Sequence, residues 1–401
     1  MIDVQQAYDI VMQHTLNPKA EILPLEKCQG KVLQEAIYAD RDFPPFDRVT
    51  MDGIAYRFDA LQNGTLLLVE SMQVAGIPPH TLHDKQACIE VMTGAVTPIH
   101  TDTVTRYEDV EFIKKDGKKY ARFLELPKKK GQNIHRQGLD EKEGTELLKP
   151  GLIIGPAEIA VAASVGKSQL KVSQSLSVGI VSTGDELVGI EEQPAPYQIR
   201  RSNSYALYAA LQQMQITASI YHWEDEKLVI QQGLSEALEK HDVLIMSGGV
   251  SKGKKDFVPE VLEALGVHKL FHRVKQKPGK PFWFGKSTAD KVVFALPGNP
   301  VSTFMCFQRY VKPWLLVGMG NKEEAVHYAE LAGEISFPPP LTYFMQVKLK
   351  NADNGKLLAY PEEGQGSGDF ANLLACDAFI QLPPEKEIFQ AGEVYPILIY
   401  R

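Results

Sequence analysis

The sequence predicts a protein of several α/β and β domains, organised around one doubly wound parallel sheet. Its 401 residues suffice for two to four domains at about 150 residues each. Between residues 174 and 318, short apolar runs alternate with helical patterns, which is typical of βαβ units. On both sides of this region, short apolar runs separated by turn residues indicate β structure.

Residues 1–44 and 138–173 are predicted to form one split domain. Apolar residues at helical spacing follow a capping box of Asp3 and Gln6, which predicts a helix at the start of the chain. A second helix is predicted at residues 157–165, since a proline precedes this apolar run and a glycine follows it.

Residues 45–137, between the two halves of this domain, are predicted to form an inserted β domain. Short apolar runs lie at residues 65–69, 110–113 and 120–124. The last two flank Asp116-Gly117, a dipeptide that favours a tight hairpin turn. Strands joined by turns, with no long helical pattern between them, are typical of a small β unit.

Residues 174–318 are predicted to form the doubly wound α/β domain. Strands are expected at residues 176–181, 216–221, 243–246 and 292–296, and helices at 205–214, 227–238, 257–265 and 301–316. Crossovers of this length build a parallel sheet with helices on both faces. Ligands of such sheets bind beyond the carboxyl ends of the strands, so the loops that follow the strands are the candidate sites.

The tail, residues 319–401, is predicted to return to β structure as a small sheet or barrel. Apolar runs at residues 343–349, 356–360 and 394–400 predict strands, and Asn354-Gly355 predicts the turn between the first two.

Composition and charge narrow the classes of function. With 43 Lys and Arg against 50 Asp and Glu, the net charge is −7, so the whole protein repels nucleic acid and acidic membranes. The four cysteines are scattered and form no C-x-x-C pair, which argues against a zinc knuckle or a disulfide framework. With no apolar run near the ~20 residues of a membrane span and no signal-peptide pattern at the start, we expect a cytoplasmic protein.

The first candidate loop, residues 182–187, carries adjacent carboxylates at Asp185 and Glu186 directly after a predicted strand. Oxygen ligands at that place suit a hard cation such as Mg²⁺. Capping of a following helix by Asp185 explains the same residues equally well.

The second candidate loop, residues 247–256, contains paired glycines, two serines and several lysines. Gly248 and Gly249 allow backbone N–H groups to close on an anion, while Ser247 and Ser251 offer hydroxyls. The loop is a phosphate-binding candidate without a Walker A sequence, and a tight structural turn is the alternative.

The third candidate region combines the loop of residues 296–302 with the basic stretch 273–280. Asn299 is expected to cap the helix that begins at Pro300, and capping explains most of that loop. Lys277 and Lys280 alternate with prolines and a glycine, so a stiff loop holds two ammonium groups as receptors for a small dianion.

Taken in order, phrases along the whole chain resemble the molybdopterin molybdotransferases, the MoeA family that includes the E domains of gephyrin and of the plant Cnx proteins. The phrases are residues 44–55 (PPFDRVTMDGIA), 92–95 (MTGA), 131–134 (GQNI) with Gly138 and Asp140, 183–187 (TGDEL), 202–205 (SNSY), 247–251 (SGGVS) with Asp256-Phe257, 277–281 (KPGKP), 296–302 (LPGNPVS) and 365–368 (QGSG). Each phrase is modest evidence, whereas the ordered set is highly specific.

The resemblance implies a split domain I, an inserted β domain II, a molybdopterin-binding-like domain III and a β-barrel-like domain IV, assembled as a homodimer. It also implies the activity: insertion of molybdate into adenylylated molybdopterin, with Mg²⁺-assisted release of AMP. An upstream molybdopterin adenylyltransferase is the implied source of the substrate. The carboxylates, the glycine loop and the stiff lysine loop are the chemistry that this reaction requires.

The resemblance also assigns expected roles to individual residues. Asp185, Glu186 and Asp256 are expected to hold the metal or to orient water. Lys277, Lys280 and Ser367 are expected to hold molybdate. The remaining expected substrate contacts are Asn203, Ser204, Ser247, Gly248, Gly249, Ser251, Pro297, Gly298, Asn299 and Ser302. Asp52, Thr93 and Asp140 match family positions that act from domains I and II, across the dimer.

The chain departs from the family pattern at several positions. Arg201, Lys252 and Lys254 stand where relatives carry acidic or apolar residues, and Pro340-Leu341 replaces the Gly-Arg phrase that opens the domain IV strand. The added cations are expected to compensate for the missing arginine. Two alternatives remain: a nucleotide pyrophosphatase similar to the CinA proteins, and a non-catalytic scaffold similar to gephyrin.

Overall fold

The structure is a computed structural model that describes residues 1–249, 257–321, 325–364 and 366–401. The chain divides into two compact units. The first comprises residues 1–34, 150–156 and 169–401, and the second comprises residues 35–149 and 157–168. The finer division into four domains remains a prediction.

The first unit contains the predicted doubly wound sheet. Its strands are β1 (Val178–Thr183), β2 (Ala218–Trp223), β3 (Val243–Ser247), β4 (Val267–His272), β5 (Trp283–Ser287) and β6 (Val292–Leu296). They lie in the order β2-β1-β3-β6-β5-β4. The first four strands of that order are parallel, as predicted, and β5 and β4 extend the sheet as antiparallel strands.

Helices cover both faces of this sheet, which confirms the doubly wound arrangement. They are Ser202–Gln213, Lys227–Lys240, Val258–Ala264, Pro300–Cys306 and Lys312–Gly318. Ile180 and Ile245 pack on one face with Leu207 of the first of these helices. Val181 and Leu244 point to the other face. Successive residues of a strand alternate between faces, so strands that are apolar throughout bury both.

Two features of this unit differ from the sequence-based expectation. Strands β4 and β5 were not predicted, because polar residues interrupt the apolar pattern of β4 and because β5 has only two apolar residues before its glycine and lysine. The single helix predicted at 301–316 is interrupted by a π-helical segment at Phe307–Val311. A π segment adds a residue to the local turn, and here it lies immediately before Pro313.

The chain begins with the helix Val4–Gln13, and its predicted capping box is confirmed. The Asp3 carboxylate accepts the backbone N–H of Gln6 at 2.7 Å, and the Gln6 side chain accepts that of Asp3 at 3.2 Å. The buried face of this helix joins the core on one side of the doubly wound sheet. The strand Ala20–Pro24 pairs with Gln169–Ser173 in the same unit.

The tail forms the closed β sheet that the sequence predicts. Its main strands are His327–Leu331, Thr342–Asn351, Leu357–Pro361, Ala378–Leu382 and Val394–Ile399, with the shorter pair Ile335–Ser336 and Ile388–Phe389. Thr342–Asn351 pairs on both of its edges, which closes the ring. Gln276–Lys277 pairs with Thr342 and Tyr343, so the lysine loop is anchored to the tail sheet.

The second unit contains a six-stranded β sheet. Its strands are Gly53–Tyr56, Leu66–Gln73, Ala87–Val91, Thr103–Arg106, Val110–Lys115 and Lys118–Phe123. Two short pairs accompany it, Ile37–Tyr38 with Glu146–Leu148 and Arg48–Val49 with Ile134–His135. Asp116 and Gly117 both adopt positive φ at the predicted hairpin. The predicted helix spans Pro156–Ser164. No helix of the described residues has the length and apolar character needed to cross a membrane.

Candidate functional site

A cavity of about 740 Å³ lies in the first unit, at the carboxyl ends of the parallel strands. Loops after β1, β2, β3 and β6 form one side of it, and the lysine loop and the tail sheet form the rest. Its predicted residues are Glu186, Gly248, Gly249, Lys277, Lys280, Pro297, Gly298, Asn299, Ser302 and Ser367. The three loop regions that the sequence singled out therefore share one cavity.

Carboxylates from two neighbouring strand ends reach the cavity. Glu186, after β1, and Asp225, after β2, both line it. Asp185 does not cap a helix: its carboxylate accepts the backbone N–H of Asp225 at 3.0 Å, which ties the two strand ends together. Asp225 was missed at the sequence level, although it follows a strand end as Asp185 does.

A buried hydroxyl group and a half-buried histidine lie next to these carboxylates. The Thr183 hydroxyl is buried, lines the cavity and has no hydrogen-bond partner among the described residues. His222 lies beside Ser182, with its Nδ1 atom 3.2 Å from the hydroxyl oxygen. Burial, and then the positive charge of Arg201, lower the pKa of His222. Arg201 itself is not among the residues lining the cavity, and its guanidinium donates to the Val188 carbonyl at 3.3 Å.

The glycine loop after β3 has the backbone that its sequence predicts. Gly248 has φ of 97° and Gly249 has φ of 71°, a region that residues with a side chain rarely adopt. A Cβ atom on Gly249 would lie 2.7 Å from Val258 Cγ2 and 2.9 Å from the Thr183 hydroxyl oxygen. The loop therefore requires glycine for its conformation and for close packing. Ser251 and Asp256, which the sequence placed in this site, lie outside the described residues.

The lysine loop is held by a buried amide. Gln276 donates to the Gly279 carbonyl at 3.0 Å and accepts the Tyr310 hydroxyl at 2.6 Å. This network fixes the turn at which Lys277 and Lys280 reach the cavity. Within the described part of the chain, no carboxylate forms an ion pair with either ammonium group. Both charges are therefore available to an anion.

Lys277 also contacts aromatic rings of the tail sheet. Its ammonium nitrogen lies 5.1 Å from the ring centre of Phe337 and 5.6 Å from that of Tyr343. The two rings stack with centres 4.2 Å apart. Cation–π contact attracts an ammonium group without neutralising it. Burial raises the pKa of Tyr343, so its hydroxyl stays protonated beside the lysine.

The loop of residues 296–302 is joined to the tail by a contact that the sequence did not predict. Asn299 occupies the N-cap position, but its side chain makes no capping hydrogen bond, so the predicted capping role is wrong. Its amide donates to the Ser367 hydroxyl at 2.7 Å. The N–H of Val301 in turn donates to the Ser367 carbonyl. Pro300 occupies the first helical turn, as predicted.

Asn203, Ser204 and Ser247 lie behind the cavity rather than in its lining. The Asn203 amide donates to the Ser247 hydroxyl at 2.8 Å and to the Gly298 carbonyl at 2.7 Å. It also lies 3.3 Å from the Thr303 hydroxyl oxygen. Asn203 therefore holds the loops after β3 and β6 together. Ser204 is buried, and its hydroxyl has no partner among the described residues.

Asp52, Thr93 and Asp140 belong to the second compact unit. The Asp52 carboxylate accepts the backbone N–H of Thr93 at 2.6 Å, and this hydrogen bond lowers the pKa of Asp52. Asp140 accepts from, or pairs with, the Nε2 atom of His135 at 2.8 Å. Each carboxylate is thus fixed by a neighbour within its own unit.

The tail sheet contributes lining residues that the sequence did not single out. They are Leu341, Tyr343, Phe344, Met345, Gln346 and Glu362. Leu341 belongs to the phrase that replaces the Gly-Arg of the family, and it lines the cavity. Gln346 is buried, and its side-chain nitrogen has no hydrogen-bond partner among the described residues. No short motif marks these residues, and since four consecutive strand residues, 343–346, line the cavity, the alternation of the strand does not single them out either.

The donors at the carboxylate end of the cavity suit a hard cation. Within the four described stretches, no three His, Cys, Asp or Glu side chains are placed together to hold a metal ion. However, Mg²⁺ in phosphoryl-transfer sites is held by one or two carboxylates together with water and substrate phosphates. Glu186, Asp225 and the unpartnered Thr183 hydroxyl offer that smaller set.

Comparison with known proteins gives consistent matches over the whole chain. Three family models match in order: the MoeA N-terminal region (domains I and II) at residues 2–166, a probable molybdopterin binding domain at 179–316, and the MoeA C-terminal region (domain IV) at 328–400. The molybdopterin molybdenumtransferase of Synechocystis is 37% identical over 399 residues, which are 99% of each chain. That of Bacillus subtilis is 30% identical over all of this chain and 94% of its own.

Solved structures give the same result. The crystal structure of the molybdopterin biosynthesis MoeA protein from Pyrococcus horikoshii matches with a TM-score of 0.83 and 27% identity, and the match covers 100% of both chains.

Proposed function

We propose that this chain, which belongs to the MoeA family of molybdopterin molybdenumtransferases, inserts molybdate into adenylylated molybdopterin in the cavity described above and releases AMP. The chain is a transferase of molybdenum cofactor biosynthesis. The adenylylated substrate, the release of AMP and the part played by Mg²⁺ are the proposed elements.

One observation carries the proposal: two lysines without ion-pair partners among the described residues share a cavity with the carboxylates and glycines of the parallel strand ends. Two ammonium groups match the charge of a molybdate dianion. They lie on a loop fixed by prolines and by Gln276, so little freedom is lost when the anion binds. Two other arrangements would have contradicted this assignment: lysines engaged in internal ion pairs, or loops that open into separate clefts.

The glycine loop is proposed to hold the phosphates of the pterin substrate. Gly248 and Gly249 line the cavity at the carboxyl end of β3 with their backbone in the positive-φ region. Such a backbone turns successive N–H groups toward one concavity, which binds phosphate oxygens. Gly298 of the neighbouring loop carries no side chain that would fill this part of the cavity.

Glu186, Asp225 and the Thr183 hydroxyl would hold Mg²⁺ at the same end of the cavity. When bound, the cation would neutralise charge on the pyrophosphate during cleavage of its P–O bond. Glu186 would accept a proton from, or orient, the water that attacks phosphorus. Lys277, Lys280 and Ser367 would orient molybdate so that one of its oxygens can leave as water, with the two protons of the dithiol, as the two sulfurs bind molybdenum. The protein thus brings the two reactants into one enclosure.

We further propose that the active form is a homodimer in which Asp52, Thr93 and Asp140 of one copy complete the site of the other, as the family resemblance implies. Two variants test this, one in a residue that a copy supplies to its own site and one in a residue that it supplies to the site of the other copy. We expect Asp52→Asn and Lys280→Met each to lose activity. When the two variants are refolded together or co-expressed, we expect the mixture to regain about a quarter of the parent activity, all of it in hybrid dimers. No recovery in hybrids of confirmed mass would contradict a shared site.

The main test incubates the purified chain with adenylylated molybdopterin, Mg²⁺ and molybdate. AMP release and reconstitution of an apo-molybdoenzyme are followed in the same reaction, and we expect both to depend on molybdate. Glu186→Gln, which keeps the size of the side chain, is expected to slow AMP release without loss of folding. AMP release at the same rate with and without molybdate would instead indicate a pyrophosphatase. Cofactor formation without release of AMP would refute the proposed substrate.

A further inference from the structure

The tail wall of the cavity contains one buried polar group that the proposed mechanism leaves unused. Gln346 lies in the strand Thr342–Asn351, lines the cavity and is only 8% exposed. Its Nε2 atom is shielded from solvent and has no hydrogen-bond partner among the described residues. An amide nitrogen in this state loses its hydrogen bonds to water without replacement, which destabilises the fold.

The direction of the side chain follows from alternation along the strand. Tyr343, Met345 and Val347 pack into the core of the tail sheet itself. Phe344 points the other way, into the core beneath the doubly wound sheet. Gln346, two residues after Phe344, shares its face. The amide is therefore directed away from the interior of the barrel, on the face where Gln276 of the lysine loop contacts Tyr310.

The register of the strand sets the distance to the lysines. Lys277 pairs with Tyr343, three residues before Gln346. Three residues of extended strand span about 10 Å. Lys277 shares the face of Tyr343, so its side chain and that of Gln346 leave the sheet on opposite faces, and both line the same cavity together with Lys280. The neighbouring carboxylate does not satisfy the amide: Glu362 approaches Gln346 through a backbone hydrogen bond, in which its N–H donates to the Gln346 carbonyl at 3.0 Å.

We propose that Gln346 is a ligand-binding residue whose side-chain amide donates a hydrogen bond to the tetrahedral oxyanion held by Lys277 and Lys280. This inference rests on the proposed function, and it adds a contact from the tail sheet that no motif in the sequence indicated. The amide contributes a directional donor without a further positive charge, so it selects for an oxygen acceptor at a fixed place. In the free protein the Nε2 donor has no hydrogen-bond partner among the described residues, and the bound oxyanion would accept its hydrogen bond.

A role in ligand binding and a role in folding predict opposite effects of the same substitution. Gln346→Met keeps the length of the side chain and removes the unpaired donor. If the amide serves the ligand, the free variant unfolds at the same or a higher temperature than the parent, while the apparent KM for molybdate rises roughly tenfold. If the amide serves the fold, the variant unfolds at a lower temperature and the KM is unchanged.

Gln381→Met provides a matched control. Gln381 lies opposite Phe344 on the adjacent strand, on the same face as Gln346, but it is not among the residues that line the cavity. We expect it to leave the KM for molybdate within twofold of the parent. Gln346→Glu, which replaces the donor by a negative charge, is expected to raise that KM more than Gln346→Met does.

Binding of molybdate alone separates this inference from the proposed function. The molybdate-induced rise in unfolding temperature is measured for the full chain without pterin, and at the same molybdate concentration we expect it to be smaller in Gln346→Met than in the parent and in Gln381→Met. Should the parent release no AMP, the proposed function fails while this binding result still stands. An unchanged molybdate response in Gln346→Met, or a rise in the KM for the pterin substrate alone, overturns the inference.

Discussion

Replacement of Asn203 tests whether the loops behind the cavity are held by one amide. This side chain donates to the Ser247 hydroxyl at 2.8 Å and to the Gly298 carbonyl at 2.7 Å. Each such bond contributes about 0.5–1.5 kcal/mol net, so Asn203→Ala should lower the free energy of unfolding by about 1–3 kcal/mol. Asn203→Asp should cost more, because it turns a carboxylate oxygen toward the Gly298 carbonyl, which cannot donate.

The effect on activity should exceed the effect on stability. Asn203 does not line the cavity, but Gly298 does, and so does Gly248 next to Ser247. A displacement of about 1 Å at such groups can reduce turnover by about a hundredfold. We therefore expect kcat to fall in both variants, with Asn203→Asp the slower. Thermal unfolding and molybdate-dependent AMP release are measured on the same preparations.

Gln212→Ala serves as the control, since Gln212 is exposed on the same helix. It should change neither the unfolding temperature nor kcat measurably. The reasoning is refuted if Asn203→Asp is as stable and as active as Asn203→Ala. If the Asn203 variants raise only the KM for the pterin substrate and keep the parent's stability, Asn203 contacts the substrate directly, as the sequence suggested.

Three further predictions concern single residues around the cavity. Gly249→Ala should cost more than 1 kcal/mol and abolish AMP release, because its Cβ would meet Val258 Cγ2 at 2.7 Å in a positive-φ backbone; an active, stable variant contradicts this. Lys280→Met should raise the KM for molybdate by about 10- to 100-fold, whereas Lys275→Met, outside the cavity lining, should not; equal effects would argue against a specific anion site. Burial lowers the pKa of His222, so the unfolded chain takes up the proton first, and the free energy of unfolding should decline as pH falls below about 6.5. His222→Gln should flatten that decline in thermal melts at pH 5 to 7, and identical slopes would show that other groups cause it.

The sequence predicted most of the doubly wound sheet because its central strands are apolar throughout and are followed by loops rich in glycine and polar residues. The carboxyl-end rule for parallel strands then placed Glu186 and Gly248 in one region. The same rule applied to the strand Ala218–Trp223 would have found Asp225. Strand β4 was not predicted because polar residues interrupt its apolar pattern, and β5 was not predicted because its apolar run is only two residues long and follows a basic loop.

Other parts of the site depend on contacts between distant segments. The expected cap at Asn299 fails because its amide is engaged by Ser367, which lies far along the chain in the tail. A local capping rule considers only the next helical turn. Asn203 appeared to be a substrate contact because it belongs to a family phrase. Its three neighbours come from the end of β3, the loop after β6 and the helix that follows this loop, and only the folded structure reveals that they occupy its donors.

The charges of the cavity explain why a neutral donor suits its tail wall. Among the described residues, Glu186, Asp225 and Glu362 place three carboxylates on the lining, against the ammonium groups of Lys277 and Lys280. The proposed oxyanion would therefore bind between opposite charges, with the lining cations of the described residues confined to one stiff loop. A hard cation at the strand ends would offset the carboxylates of Glu186 and Asp225, but it would not reach the tail wall. An ammonium group at the position of Gln346 would also attract the Glu362 carboxylate. The resulting ion pair would make this donor unavailable to the ligand. An amide is attracted far less by that carboxylate, so it remains free to bind an oxygen of the substrate.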